Sequence, residues 1–332
     1  MRRALALILV ACGARTPLAS TAALDAGKDV ESGSDAAMSP CSALASIAAT
    51  GPHPDAIALD GDHVYWHDQN GIFRVPKKGG SPSLVATTVS TFWPELVPFA
   101  IASGNVYFAG AGDALSFVPV GGGTATSIGK SFAQAGFAAS DSWVYAWSQA
   151  QGATPLVRFH FDGSGATQVD SMAHPPNEMV FGPNEVAYVA FDPGVQQNDY
   201  SSMAGASDTD LSGLAAEDIA VSGSQVYFTS NDSTNGARVM TVSTDTKIVS
   251  PIADTFGAVT LALDDADLYF ADGDGLRVRR VAGKTGPVTD VATVGPDAAP
   301  IDLALDGTCV YFTVAPRAGA DAPGAVMVAP KP

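Results

Sequence analysis

The sequence has few charged residues and even fewer basic ones. Charged side chains make up 15% of the 332 residues, and 34 acids outnumber 17 bases, which gives a net charge of −17. An average soluble protein carries about 25% charged residues. A nucleic-acid-binding protein needs a basic surface that displaces counterions from phosphates, so this charge excludes that class. The surplus of acids favours a cation or a basic partner instead.

Cysteine is scarce as well, and long apolar runs are absent. Three cysteines are too few for a disulfide-rich scaffold. The apolar run near the start covers only residues 4–10, whereas a transmembrane helix needs about 20 residues. No other stretch of the sequence is long and apolar enough to span a membrane. The hydrophobic content of 46% is nevertheless too high for a disordered chain.

The first twelve residues have the pattern of a secretory signal. Arg2-Arg3 precedes the apolar run, which is the order found in signal peptides. The run ends in Leu9-Val10-Ala11-Cys12, which resembles the lipobox of bacterial lipoproteins. The resemblance implies that residues 1–11 are removed and that Cys12 carries a diacylglyceryl group and a further acyl chain such as palmitate, which together anchor a protein stably. A plain signal peptide with an incidental cysteine is the alternative.

Residues 12–40 are predicted to be a lipid-anchored tether. The stretch 13–40 is rich in Ala, Ser, Asp and Gly and has no aromatic residue, which is typical of disorder. Its mean reach would be about 30 Å. In lipoproteins that are retained at the inner membrane, Asp follows the lipidated cysteine. In this sequence Gly13 follows Cys12. The resemblance therefore favours the cell envelope at the outer membrane, on its periplasmic or surface side.

From about residue 54 one pattern recurs with a period of about 41 residues. Each unit has a short apolar stretch, a turn and a Val-Tyr-Phe-like core, and two further strands follow it. Four antiparallel strands per unit are typical of a β-propeller blade. The sequence predicts an all-β, seven-bladed β-propeller over residues 41–332, with six or eight blades as alternatives. The marker tyrosines are Tyr65, Tyr107, Tyr145, Tyr188, Tyr227, Tyr269 and Tyr311.

The two ends of the propeller region complement each other. The seventh unit stops at its third strand, residues 324–330, while residues 42–50 resemble a fourth strand. We predict that this N-terminal strand completes the last blade and removes an open sheet edge. Cys41 and Cys309 are predicted to form a disulfide where the ring closes, which an oxidising compartment permits. Two free thiols are the alternative, because second and fourth strands are not neighbours.

Two of the cores resemble a known repeat. Tyr65-Trp66-His67-Asp68 and Tyr269-Phe270-Ala271-Asp272 are similar to the YWTD core of LDL-receptor-type propellers. No unit contains the full YWTD, and that family has six blades where seven units are counted here. NHL repeats and gluconolactonase-like propellers have similar rhythms. The resemblance implies a propeller fold more firmly than any activity.

The aligned units place one position at the start of each first strand, and first strands line the channel of a propeller. Three of these positions are acidic, and their oxygens suit Ca²⁺. The similarity to gluconolactonase-like enzymes, which hold a metal in the channel, implies a metal-dependent hydrolase or lyase as the alternative function. Acids that cap turns and face water would give the same pattern. The positions are Ala56, Ala100, Gly136, Glu178, Asp218, Thr260 and Asp302.

No catalytic residue is assigned, because the sequence has no GxSxG nucleophile elbow and no thiol paired with a base. The leading interpretation is a monomeric binding or scaffolding module for a protein or glycan partner. Phe92 and Trp93 lie in one connection between units, and His174 and Asn177 in another. We predict these four as partner contacts, since exposed loop aromatics anchor interfaces. A third function class is an envelope assembly factor, by analogy with the propeller lipoprotein of the outer-membrane barrel-assembly machinery.

Overall fold

Seven sheets form a closed ring. The structure, a computed structural model, describes residues 41–51, 54–88, 99–132, 135–148, 154–192, 194–201, 208–232, 236–273, 276–317 and 323–332. Strands in these residues form seven four-stranded antiparallel sheets. The first strand of each sheet contacts the first strand of the next, and the seventh contacts the first. The predicted all-β, seven-bladed propeller is therefore confirmed.

Each blade runs from its innermost to its outermost strand, and blades are numbered in chain order of their first strands. The chain begins with β1 (Ala45–Ala49), which belongs to blade 7. Blades 1 and 2 contain β2 (Ala56–Leu59), β3 (His63–Asp68), β4 (Gly71–Pro76) and β5 (Ser83–Ala86), then β6 (Phe99–Ala102), β7 (Asn105–Ala109), β8 (Ala114–Pro119) and β9 (Thr126–Ser131). Blades 3 and 4 contain β10 (Ala135–Ala139), β11 (Val144–Ser148), β12 (Thr154–Phe159) and β13 (Thr167–Met172), then β14 (Glu178–Phe181), β15 (Val186–Phe191), β16 (Gly194–Asp199) and β17 (Asp208–Ser212).

The remaining three blades follow the same order. Blade 5 contains β18 (Ile219–Ser222), β19 (Gln225–Asp232), β20 (Gly236–Ser243) and β21 (Val249–Asp254). Blade 6 contains β22 (Ala258–Leu263), β23 (Leu268–Asp272), β24 (Arg277–Val281) and β25 (Val288–Thr293), and blade 7 contains β26 (Ala298–Leu305), β27 (Cys309–Pro316), β28 (Ala325–Pro330) and β1. Within the described ranges the helical segments are three 3₁₀ turns, Ala111–Asp113, Pro183–Glu185 and Ala282–Lys284. No helix in these ranges is long and apolar enough to cross a membrane.

The hydrophobic core lies between the blades. Seven clusters of buried side chains each join two neighbouring blades, and each contains one marker tyrosine. Successive side chains of a strand point to opposite faces of the sheet. Tyr65 therefore packs against blade 2, while the next residue, Trp66, packs against blade 7. The tyrosine period in the sequence thus marks the contact of each blade with the following one.

The N-terminal strand closes the ring, as the sequence predicts. β1 pairs with β28, with Ala45 opposite Val328 and Ala49 opposite Ala325. It supplies the fourth strand that the C-terminal unit lacks. The pairing gives blade 7 the same four strands as the other six and joins the two ends of the propeller.

The Cys41–Cys309 disulfide is confirmed and locks this closure. The Cα atoms are 5.9 Å apart, and the bond links residues separated by 268 positions. Second and fourth strands are not neighbours, but Cys41 precedes β1 and lies against the turn before β27, where its Sγ is 3.5 Å from the Thr308 carbonyl oxygen. Both cysteines are buried.

Strand direction divides the ring into two faces. First and second strands join at one end of the ring, as Leu305 opposite Val310 shows. We call this end the turn face; its turns include residues 60–62, 264–267 and 306–308. At the opposite end, the loop face, each fourth strand passes to the next blade. Cys41 and the C-terminal Lys331 lie at the turn face, because β27 begins there with Cys309 and β28 ends there.

Candidate functional site

The predicted channel positions lie at one level of the inner strands. Glu178, Asp218, Thr260 and Asp302 are all buried. Glu178 pairs with Ala190 and Thr260 with Ala271, in each case two residues beyond the marker tyrosine. The alignment therefore holds for blades 4 to 7, and the four side chains occupy equivalent places around the ring.

Two of the seven aligned positions differ from this arrangement. Ala100 pairs with Tyr107 itself, so its alignment is wrong by two residues, and the equivalent position is residue 98, which lies outside the described residues. A shift of two keeps a strand residue on the same face, so apolar alternation alone does not reveal it. At Gly136 in blade 3 the indole ring of Trp147 fills the space that a side chain would take.

Asp218 and Asp302 hold neighbouring inner strands together. Asp218 Oδ2 in blade 5 accepts a hydrogen bond from the Leu261 N–H of blade 6 at 2.8 Å. Asp302 Oδ2 in blade 7 accepts one from the Ile57 N–H of blade 1, also at 2.8 Å. Thr260 Oγ1 lies between the carboxylates, 2.6 Å from Asp218 Oδ2 and 2.9 Å from Asp302 Oδ1. Asp218 therefore joins blades 5 and 6, Asp302 joins blades 7 and 1, and Thr260 links the two carboxyl groups.

These contacts give the channel acids a structural role that their sequence pattern does not reveal. Among the residues that the structure describes, no group of three or more His, Cys, Asp or Glu side chains is placed to hold a metal. Calcium bound by Glu178, Asp218 and Asp302 stays a prediction.

His67 takes part in a second buried polar group, at the loop face of blade 1. Its Nδ1 lies 2.7 Å from Asp55 Oδ1 and its Nε2 2.9 Å from Thr88 Oγ1. Hydroxyl, imidazole and carboxylate in this order resemble the arrangement used in nucleophilic catalysis. His67 is buried, and its contacts with Asp55 and Thr88 join the ends of β2, β3 and β5.

A cavity of about 450 Å³ opens on the turn face over blades 6, 7 and 1. Its apolar floor consists of the last residues of three first strands, Leu59, Leu263 and Leu305. At its rim, Lys77 Nζ lies 3.2 Å from Asp306 Oδ2, and Lys331 Nζ lies 2.7 Å from Asp264 Oδ2. An apolar cavity with a few polar groups is typical of a small-molecule site.

Both rim aspartates are held in their charged form. Burial raises the pKa of Asp264, but hydrogen bonds from Lys331 and from nearby backbone N–H groups outweigh burial and hold this pKa below its usual value. Burial likewise opposes ionisation of Asp306, and the N–H groups of Thr308 and Cys309, together with Lys77, lower its pKa overall. Sequence reasoning missed these pairs, although a Pro-Lys pair recurs at the end of two third strands, as Pro76-Lys77 and Pro330-Lys331.

The predicted partner contacts fall into two groups. Phe92 and Trp93 lie outside the described residues. His174 is exposed on the loop-face side of blade 4 and stacks on Phe191, with ring centroids 6.0 Å apart. Asn177 is half-buried, and its Nδ2 donates to the Ala216 carbonyl oxygen at 2.8 Å, so it joins the connections that lead into blades 4 and 5. Partner binding by these residues stays a prediction.

Comparison with known proteins supports the fold alone. No family model and no curated protein matches the chain. Among solved structures, an extracellular domain from B. thetaiotaomicron has a TM-score of 0.62 at 11% identity, over 86% of this chain and 40% of that one. The Neurospora crassa Pan2 WD40 domain has a TM-score of 0.60 at 9% identity, over 87% and 96%. A puromycin-hydrolyzing peptidase of Mycobacterium tuberculosis has 0.61 at 15% identity, over 87% and 54%.

Proposed function

We infer that the protein is a lipid-anchored module of the bacterial cell envelope that uses its propeller to bind a protein or glycan partner. A seven-bladed propeller suits a binding or scaffolding role, because a rigid ring of blades presents a broad surface of loops. The anchor at Cys12 and the location at the outer membrane rest on the lipobox resemblance. The net charge of −17 favours a partner with a basic surface.

The observation that carries this proposal is where the chain enters the ring. The Cys41–Cys309 bond fixes the start of the propeller at the turn face. A tether that runs from Cys12 to Cys41 therefore joins the ring on that side. The loop face, with His174 exposed near it, lies at the opposite end of the ring from this attachment point. The proposed partner binds there, so that the tether and the partner occupy different ends of the ring.

Site-specific photo-crosslinking in intact cells tests which face of the ring binds the partner. A photoreactive residue replaces His174 on the loop-face side, and a matched variant carries it at Asp62, which is exposed on the turn face. We expect a discrete crosslinked species from position 174 and none from position 62. A crosslink from position 62 alone, or from neither position, would contradict partner binding through the loop face.

A further inference from the structure

A second cavity lies in the crevice between blades 3 and 4. It has a volume of about 210 Å³, and both apolar and polar side chains line it. The polar ones include His174, Asp170 from β13, and Asn198 and Asp208 from β16 and β17. No Lys or Arg belongs to its described lining. This crevice is separate from the channel acids and from the turn-face cavity.

Asn198 has a buried oxygen that accepts no hydrogen bond. Its Nδ2 lies 3.1 Å from the Tyr200 hydroxyl, which in turn donates to Asp170 Oδ2 at 2.9 Å. Because the tyrosine proton goes to Asp170, the amide must present its NH₂ group to Tyr200, and this fixes the side-chain orientation. Asn198 is 1% exposed, and its Oδ1 has no donor. A buried acceptor without a donor is destabilising, so a ligand that interacts with this oxygen would stabilise the fold.

Two carboxylates that line the same crevice as Asn198, Asp170 and Asp208, repel each other. Asp208 lies directly opposite Asn198 in the β16–β17 pair, which places the two Cβ atoms about 4.5–5.5 Å apart on one face of the sheet. Burial raises the pKa of Asp208, and the charges of Asp170 and Asp210 raise it further. The crevice therefore combines like charges with an unsatisfied acceptor, and a cation would relieve both.

We propose that Asp170, Asp208 and the Oδ1 of Asn198 form a calcium-binding site in the crevice between blades 3 and 4. Ca²⁺ takes oxygen ligands from carboxylates and amides at about 2.3–2.6 Å, tolerates irregular geometry and completes its shell with water. Mg²⁺ requires near-ideal octahedral geometry, and Zn²⁺ prefers nitrogen and sulfur ligands. With two carboxylates the affinity falls in the range of extracellular modules, about 0.1–1 mM.

Thermal unfolding of the full-length protein, with and without CaCl₂, tests the site. At roughly ten times the Kd, we expect Ca²⁺ to raise the Tm by about 3 °C. In EDTA, Asp208→Asn should unfold at a higher temperature than the parent, because it removes the repulsion from Asp170 and Asp210. The same variant should lose the increase in Ca²⁺. This opposite response separates a ligand from a residue that only supports the fold.

Asp62→Asn, which removes one exposed carboxylate from the turn face, is the matched control and should keep the full response to Ca²⁺. An unchanged Ca²⁺ response in Asp208→Asn would overturn the proposal. An equal response to Mg²⁺, or no response at about ten times the highest Kd expected, near 10 mM, would overturn it as well. A response lost in Asp218→Asn but kept in Asp208→Asn would assign calcium to the channel instead.

Discussion

Removal of the Cys41–Cys309 bond should weaken the ring where its two ends meet. The bond closes a loop of 268 residues, for which the chain-entropy relation gives about 5–6 kcal/mol, whereas native disulfides typically contribute about 2–5 kcal/mol. Because β1 also pairs with β28, we expect the loss to stay within the observed range. We expect a Cys41→Ala, Cys309→Ala double variant to lose about 3–5 kcal/mol, which lowers the Tm by about 6–10 °C.

Urea unfolding at equilibrium, followed by tryptophan fluorescence with and without reductant, measures this loss. Reductant should lower the stability of the parent protein towards that of the double variant and leave the double variant unchanged. Cys12→Ser, whose cysteine is outside the disulfide, is the control and should respond as the parent does. Equal stability of the parent and the double variant would show that strand pairing and inter-blade packing close the ring without help from the bond.

Two further substitutions test the contacts between blades and at the turn face. Gly136→Ala would place a methyl group against the Trp147 ring and should cost about 1–3 kcal/mol, measured by urea unfolding. The control Gly61→Ala should change stability little, because the space around Gly61 is open. Equal effects of the two substitutions would refute the packing argument. Lys331→Ala should cost about 1 kcal/mol at pH 7. The pKa of Asp264 is lowered in the folded protein. The cost should therefore decrease as the pH falls below about 4 and vanish once the pH is below the folded pKa of Asp264. A cost that is the same at pH 3 and pH 7 would exclude the ion pair as its cause.

The blades could be predicted from the sequence because each one repeats a local pattern. A marker tyrosine with apolar neighbours is enough to identify a strand that is buried on both faces, and all seven tyrosines lie in inter-blade clusters. The missing fourth strand of the last unit also predicted the closure by β1. The disulfide was predicted at that closure with two free thiols as the alternative, and the structure places Cys41 and Cys309 at the same end of blade 7.

The side-chain contacts between blades could not be predicted in the same way. Asp302 binds the Ile57 N–H, and nothing in either local sequence indicates the other. The Asn198 amide is oriented through Tyr200 by Asp170 of the preceding blade. Such contacts depend on how neighbouring sheets face each other. The acids at strand starts therefore suggested a metal site. In the structure, Asp218 and Asp302 join neighbouring blades.

The proposed function depends most directly on the chemical state of Cys12. Mass spectrometry of the N-terminal peptide from the membrane fraction, for the parent and for Cys12→Ser, measures that state. We expect the parent chain to begin at Cys12 with a diacylglyceryl and an acyl group and to sediment with membranes, while Cys12→Ser leaves the membrane fraction. An unmodified Cys12, or membrane retention of Cys12→Ser, would contradict the lipid-anchored envelope module.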